Sequence, residues 1–240
     1  MKINQDLCID CGECEAYCPV EAIKRVGGNS NYIDQELCVE CGVCYNSKIC
    51  AVDAIEREEL QWPRILRSVF SDVISPNKPT GIPGRGTEEM KTNDVTLRYK
   101  PGRVGIGLEF GRPGVGAYLR DVEKMAMALA SKGIPFEKDN PMYKIMQDPS
   151  TGKFMPEVLN ERVLSAIIEI ELPLSRLKEV LQAIVGAESQ IDTVFSLSVM
   201  SIMEGGNVPR VMEIMREVGL KPYPNGKTNV GLGRPRKELN

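Results

Sequence analysis

Apolar and small residues alternate most regularly between residues 104 and 110. Every second position there is apolar, with glycine or glutamate between, in the series Val104, Ile106, Leu108 and Phe110. A period of two is typical of a half-buried strand, and the intervening glycines leave one face almost without side chains. Three further strands are predicted over residues 134–136, 164–172 and 193–203.

Two amphipathic stripes separate these strands. Apolar residues recur at three- and four-residue intervals over residues 119–129, and Gly133 supplies a helix end. The same spacing recurs over residues 174–185. The predicted order βαββαβ closes into an antiparallel sheet with both helices on one face, a ferredoxin-like sandwich of the α+β class.

Two more apolar stripes lie outside this unit, over residues 65–74 and 208–218. The first consists of Ile65, Leu66, Val69, Phe70, Val73 and Ile74. Each stripe predicts a short helix, and the second helix is a C-terminal addition to the sandwich. We interpret the first stripe as packing between two domains, with a docking surface for a partner subunit as the alternative. Residues 75–103 are rich in proline and glycine and predict a linker, whose role stays open.

All eight cysteines lie before residue 51, in two runs. The first run is Cys8-x2-Cys11-x2-Cys14-x3-Cys18-Pro19, and the second is Cys38-x2-Cys41-x2-Cys44-x5-Cys50. Three thiolates spaced by two residues can surround one iron–sulfur cube, and a fourth ligand must then come from elsewhere. The runs start thirty residues apart, and the Val-Glu-Ala-Ile sequence at residue 20 recurs as Val-Asp-Ala-Ile at residue 52. This self-similarity indicates a doubled unit.

Over residues 1 to about 58 these motifs resemble the bacterial-type 2[4Fe-4S] ferredoxin family. The resemblance implies two [4Fe-4S] clusters with crossed ligation, in which the last cysteine of each run binds the other cluster. The implied ligands are Cys8, Cys11, Cys14 and Cys50 for cluster 1, and Cys38, Cys41, Cys44 and Cys18 for cluster 2. The second run departs from the family pattern, because Tyr45-Asn46-Ser47-Lys48-Ile49 separates its last two cysteines and Ala51 replaces proline.

Structural zinc and disulfide bonds are less favoured interpretations of the cysteines. Zinc sites use two separated Cys-x2-Cys pairs rather than triplets. Disulfides need an oxidising compartment, and residues 1–6 contain no apolar signal segment. We therefore expect a cytoplasmic protein that assembles its clusters under anaerobic conditions. Membrane insertion is not expected, since no apolar run approaches the roughly 20 residues that a membrane helix requires.

The second predicted unit resembles the ACT family of small regulatory domains. The likeness covers roughly residues 103–203 and depends on a strand, the turn Arg112-Pro113-Gly114-Val115, an amphipathic helix and the strand that begins at Ile134. The predicted organisation is thus a ferredoxin domain over 1–58, a linker with one short helix over 59–102, and an ACT-like sandwich with a C-terminal extension over 103–240.

Charge and composition narrow the function classes. The 240-residue chain contains no histidine, which excludes Rieske clusters, Ser-His-Asp catalysis and a histidine base. No self-contained catalytic site is seen, so whether the protein is an enzyme stays open. Residues 1–58 carry a net charge of −6 and the remainder +3. An acidic front domain suits docking on a basic protein surface, and nothing supports nucleic-acid binding.

We predict an electron-transfer iron–sulfur protein, and more specifically the ferredoxin-like subunit of a larger cytoplasmic oxidoreductase. Its redox partner would be a catalytic subunit that contains flavin or metal. The second domain would serve dimerisation or docking, so we expect a homo- or hetero-oligomer. The alternative is an iron–sulfur redox or metabolite sensor whose ACT-like domain binds a ligand.

Overall fold

The computed structural model describes residues 1–26, 30–74, 100–112, 114–202 and 207–223. Helices and strands are mixed along the chain, as expected for the α+β class. Residues 75–99, which make up most of the predicted linker, lie outside the described residues. None of the helices in the described part of the chain has the length and apolar content that a membrane crossing requires.

The cysteine region folds as two interlocked copies of one short unit. The first copy contributes strands β1 (Lys2–Ile3) and β2 (Ile23–Val26), and the second contributes β3 (Ser30–Ile33), helix α1 (Val43–Asn46) and β4 (Ile55–Glu56). Strand β1 pairs antiparallel with β4, and β2 pairs antiparallel with β3. Each small sheet therefore joins one strand from each copy.

Equivalent main-chain bonds reinforce both sheets. The N–H of Asn4 donates to the carbonyl of Ala54, and the N–H of Asp34 donates to the carbonyl of Ala22, both at 2.7 Å. A buried apolar cluster, which includes Ile3, Ile33 and Ile55, fills the space between the two copies. The small core thus belongs equally to both halves of the repeat.

A larger core surrounds a three-stranded antiparallel sheet. Its central strand is β5 (Arg103–Phe110), flanked by β10 (Ala166–Pro173) and β11 (Phe195–Met200). The apolar side chains of β5 are fully buried, and Phe110 packs on Phe195 with ring centroids 5.3 Å apart. The alternating pattern predicted a half-buried strand here, and the structure buries Gly105 and Gly107 as well, so this strand is covered on both faces over most of its length.

Two helices pack on each other beside this sheet, α3 (Leu119–Ala130) and α4 (Leu177–Glu188). Their apolar stripes supply the helical share of the core, namely Leu119, Val122, Met125, Ala126, Leu129, Leu177, Val180, Leu181 and Ile184. A 3-10 turn, Leu174–Arg176, precedes α4, so the second helix begins three residues later than predicted. Helix α5 (Asn207–Glu217) packs against α4 and corresponds to the predicted C-terminal helix.

The remaining strands, all within residues 117–163, form two short antiparallel pairs. Strand β6 (Ala117–Tyr118) pairs with β9 (Arg162–Val163), and β7 (Met146–Asp148) pairs with β8 (Lys153–Phe154). The strand predicted over 134–136 is present only as one antiparallel bridge, between Phe136 and Ile170. Pro135 has no N–H to donate, which limits a ladder at this edge of the sheet.

Helix α2 (Ile65–Ser71) replaces the longer helix predicted over 65–74. The chain becomes extended at Asp72, and Val73 and Ile74 are exposed. The buried face of α2 consists of Leu66, Arg67, Phe70 and Ser71. This buried face differs from the predicted apolar stripe, since it includes Arg67 and Ser71. Both side chains can be buried because they have polar partners inside the protein.

Among the described glycines whose added Cβ would meet backbone atoms, Gly152 has the shortest such distance. Its φ is +74°, and a Cβ atom there would lie 2.5 Å from the carbonyl carbon and oxygen of Ala126 in α3. Gly133 has a similar φ of +64° but no heavy atom within 4 Å of its Cβ position.

We expect Gly152→Ala to lower the free energy of unfolding by about 3 kcal/mol, because backbone strain and overpacking add together. Gly133→Ala should cost only about 1 kcal/mol, the strain alone. Thermal unfolding followed by circular dichroism measures both. Equal losses in the two variants would show that the approach to α3 carries no energetic penalty.

Candidate metal centre

Four cysteines line a cavity at one end of the cysteine region. They are Cys8, Cys11, Cys14 and Cys50. Three come from the first copy of the repeat and the fourth from the second copy. Ile3, Ile9, Val52 and Ile55 supply an apolar lining around them.

A second cavity has the complementary set of cysteines, namely Cys18, Cys38, Cys41 and Cys44. Here three come from the second copy and one from the first. The two cavities are similar in size, about 360 and 310 Å³ including their open mouths. All eight predicted site residues are thus brought together in the two predicted groups of four.

The loops that carry the cysteines share one backbone path. Left-handed residues occur at Asp10 and Gly12 in the first loop and at Glu40 and Gly42 in the second, with φ between 54° and 79°. This path turns three side chains inward within seven residues. Left-handed geometry is costly for residues other than glycine, so Asp10 and Glu40 are strained positions that the loop shape requires.

Main-chain N–H groups face the fourth cysteine of each run. The N–H of Ala22 donates to Cys18 Sγ at 3.0 Å, and the N–H of Ala54 donates to Cys50 Sγ at 3.2 Å. Hydrogen bonds to sulfur stabilise its charged form. Because the same bond occurs at equivalent positions, Cys18 and Cys50 are both prepared to act as charged sulfur ligands.

The five-residue insert in the second run does not displace Cys50 from the first cavity. Helix α1 and a left-handed Lys48, with φ of 53°, take up the additional chain length. The Lys48 ammonium and the Arg57 guanidinium lie 4.5 Å and 5.1 Å from the centre of the Tyr45 ring. These contacts hold the insert against the domain.

The buried cysteines Cys14 and Cys44 are poor thiolates without a bound cation. Burial raises the pKa of Cys14 to about 11 and that of Cys44 to about 12. The neighbouring thiols raise these values further: Cys11, Cys8 and Cys50 act on Cys14, and Cys41, Cys38 and Cys18 act on Cys44. Four thiolates in one cavity therefore require positive charge between them, which a metal group supplies.

The donor set fits an iron–sulfur cluster better than a single metal ion. Within the described residues, no three Cys, Asp or Glu side chains lie close enough together to hold one metal ion. A zinc site brings its sulfurs to within about 4 Å of each other, since each Zn–S bond is about 2.3 Å. In a [4Fe-4S] cluster each cysteine binds a different iron, so wider spacing between the sulfurs is needed.

Arg67 binds the main chain of the loop that carries Cys38. Its Nη1 donates to the carbonyls of Gln35, Glu36 and Cys38, and its Nε pairs with Glu161 at 2.5 Å. The Arg67 side chain is only 5% exposed. A single buried cation thus joins the cysteine region to the segment between the short strands of the larger core.

Two more side chains complete this junction. Arg162 Nη1 donates to the carbonyl of Leu37 at 3.0 Å, and the N–H of Leu164 donates to Ser71 Oγ at 2.8 Å. Sequence reasoning missed Arg67, Glu161 and Arg162. The available signal was only that Arg67 borders the apolar stripe of residues 65–74, on a helix with a side expected to be buried.

Comparison with known families identifies the first part of this region. A family model described as a 4Fe-4S binding domain matches residues 1–24. Neither curated proteins nor solved structures give a match to the chain. The match confirms an iron–sulfur segment of the ferredoxin type and, in general terms, an iron–sulfur electron-transfer function.

We expect Arg67→Met to destabilise the protein by about 3 kcal/mol or more, because it leaves the carboxylate of Glu161 and three carbonyls without their cation. The matched control is Arg103→Met, since the pair between Arg103 and Glu171 is partly exposed and contributes about 1 kcal/mol or less. Thermal unfolding of both variants checks this. Replacing Arg67 and Glu161 together by Met should recover part of the loss, and a double variant no better than Arg67→Met would contradict the ion-pair explanation.

Proposed function

We propose that this protein is an electron-transfer iron–sulfur protein with two [4Fe-4S] clusters. The observation that carries the proposal is the pair of cavities, each lined by four cysteines drawn from both copies of the repeat. Cys8, Cys11, Cys14 and Cys50 would hold cluster 1, and Cys38, Cys41, Cys44 and Cys18 would hold cluster 2. A bound [4Fe-4S] group supplies reversible one-electron chemistry.

The protein's own groups suit that chemistry. The apolar lining limits the access of water to the buried cysteines Cys14, Cys38 and Cys44, and N–H groups directed at Sγ of Cys18 and Cys50 lower the cost of added negative charge. Burial and hydrogen bonding at sulfur are the means by which proteins set cluster potentials. The described residues around each cavity therefore act as ligands and as an insulating shell.

We further propose that the chain is a subunit of a larger cytoplasmic oxidoreductase. We take residues 1–58 as a front domain and residues 103–240 as a second unit. The second unit contains no histidine and no cysteine, the residues most often used for catalysis and metal binding. Its strand order, with β5 between β10 and β11 and a bridge at Phe136 beyond β10, supports an ACT-like ferredoxin-fold sandwich. Its role would be dimerisation or docking to a flavin- or metal-containing partner.

One contact favours the sensor as a second candidate. A Cβ atom at Gly114, in the turn that motivates the ACT resemblance, would lie 3.1 Å from the carbonyl oxygen of Pro19. Pro19 follows Cys18, a proposed ligand of cluster 2. A ligand bound at this turn would thus lie close to one cluster and influence its surroundings.

Protein prepared without oxygen should contain about eight iron and eight sulfide per chain, because eight cysteines complete two four-cysteine sites. Cys18→Ser should damage cluster 2 and Cys50→Ser cluster 1, although each cysteine is nearer in sequence to the other group. Iron analysis together with electron paramagnetic resonance of both variants tests this. About four irons in the native protein, or loss of cluster 1 in the Cys18→Ser variant, would refute crossed ligation at two sites.

If the second unit is an assembly module, amino acids and nucleotides should neither bind the holoprotein nor shift its potentials, because coupling requires a ligand with different affinities for two states. Calorimetry against a panel of both compound classes measures binding, and light scattering measures the mass of the assembly. A monomer that binds one of these metabolites tightly would favour the sensor.

A further inference from the structure

The internal repeat places two loops with the same backbone path in one molecule. Ile9 and Val39 occupy equivalent positions thirty residues apart, yet Ile9 is 63% exposed and Val39 only 1%. Cys11 is exposed, whereas its equivalent Cys41 is half-buried. The surroundings therefore differ between the loops although the backbone path is the same.

The difference arises from what covers the second loop. Arg64 binds Glu40 and the Gln35 carbonyl, Arg67 binds the Cys38 carbonyl, and Arg162 binds the Leu37 carbonyl. These cations come from the start of α2, from α2 itself and from β9. Among the described residues, no comparable set of contacts from α2 or β9 reaches residues 6–13.

The first loop presents an apolar centre with an acidic rim. We define the first-loop face by Asp6, Leu7, Ile9, Cys11 and Glu13, all of them exposed. Ile9 and Glu13 also line the first cavity, so this face leads directly to its cysteines.

The charged side chains that define this face, Asp6 and Glu13, are both acidic. Five acids and no Lys or Arg occur between Lys2 and Lys24. Arg25 lies at the side of this loop: its Nε pairs with Glu15 at 2.8 Å, and its Nη2 donates to the carbonyl of Asp10 beside Gly12. Asp6 and Glu13 remain as the exposed charges beside Ile9.

We propose that the first-loop face is the surface through which this protein exchanges electrons with its partner. The proposal rests on the proposed function and adds the site and the chemistry of the partner. The partner presents an apolar centre ringed by Lys or Arg at its own redox group, because that surface complements Ile9 and Leu7 with their acidic rim. The second loop is covered by Arg64, Arg67 and Arg162, so a cluster held by its cysteines would be less accessible to this partner than one held in the first cavity.

A basic c-type cytochrome, whose haem edge is ringed by lysines, is a suitable probe. In the test reaction the reduced protein loses one electron and the ferric haem gains it to become ferrous, with no proton or atom transferred. Stopped-flow absorbance at the haem band measures the second-order rate. Opposite charges on the two surfaces should make this rate fall as salt is added.

The decisive variants are Asp6→Lys and Glu13→Lys, with Glu36→Lys as the matched control. Glu36 is exposed, stands at the repeat position equivalent to Asp6, and changes the net charge by the same amount. At low salt the first two variants should each slow the reaction about 3- to 10-fold, and Glu36→Lys less than about 2-fold. Equal slowing by Asp6→Lys and Glu36→Lys, or a native rate independent of salt, would overturn the proposal.

A second measurement needs no electron transfer and no variant. With both native proteins oxidised, hydrogen–deuterium exchange in excess cytochrome should be slowed over residues 6–15 and unchanged over 35–42. Protection of residues 35–42 instead would overturn the proposal. Iron and sulfide analysis of the same samples separates the two ideas: protein without clusters refutes the proposed function, whereas fully loaded protein with symmetric effects refutes only the choice of surface.

Discussion

The exchange of one cysteine between the two halves of the repeat is the constraint on which the rest of the cysteine region depends. Cys18 lies with the second triplet and Cys50 with the first, so neither cavity is complete within one half. The pairing of β1 with β4 and of β2 with β3 enforces this exchange through the backbone. The strands are short and the apolar core is small, so both contribute little to the stability of the cysteine region. The region therefore depends on the pairing of its two halves.

Much of this arrangement was predictable from the sequence because it is local. Triplets of cysteine spaced by two specify a loop, and the repeat of that loop specifies a partner for it. The alternation around Ile106 and the stripe around Val122 likewise predicted a central strand and a helix. In each case the periodicity of side chains directly reflects a periodicity of the backbone.

The features that sequence reasoning missed depend on contacts between distant segments. Nothing around Arg67 reveals that its guanidinium will meet Glu161, ninety-four residues later, and three carbonyls of the second loop. That contact rotates the buried face of α2 away from its apolar stripe. The strand predicted at residue 134 was reduced to a bridge, where local apolar character was outweighed by the missing donor of Pro135.

The unequal covering of the two loops predicts an unequal tolerance to substitution. The main chain of the second loop is bound by Arg67, and its Val39 is buried in the small core. Substitutions at Val39 would disturb a buried position in the small core, whereas most of the Ile9 side chain is exposed at the edge of the first cavity. The exposed positions of the first loop should therefore tolerate a wider range of side chains than their equivalents in the second loop, so that two loops with one backbone path differ in mutational tolerance.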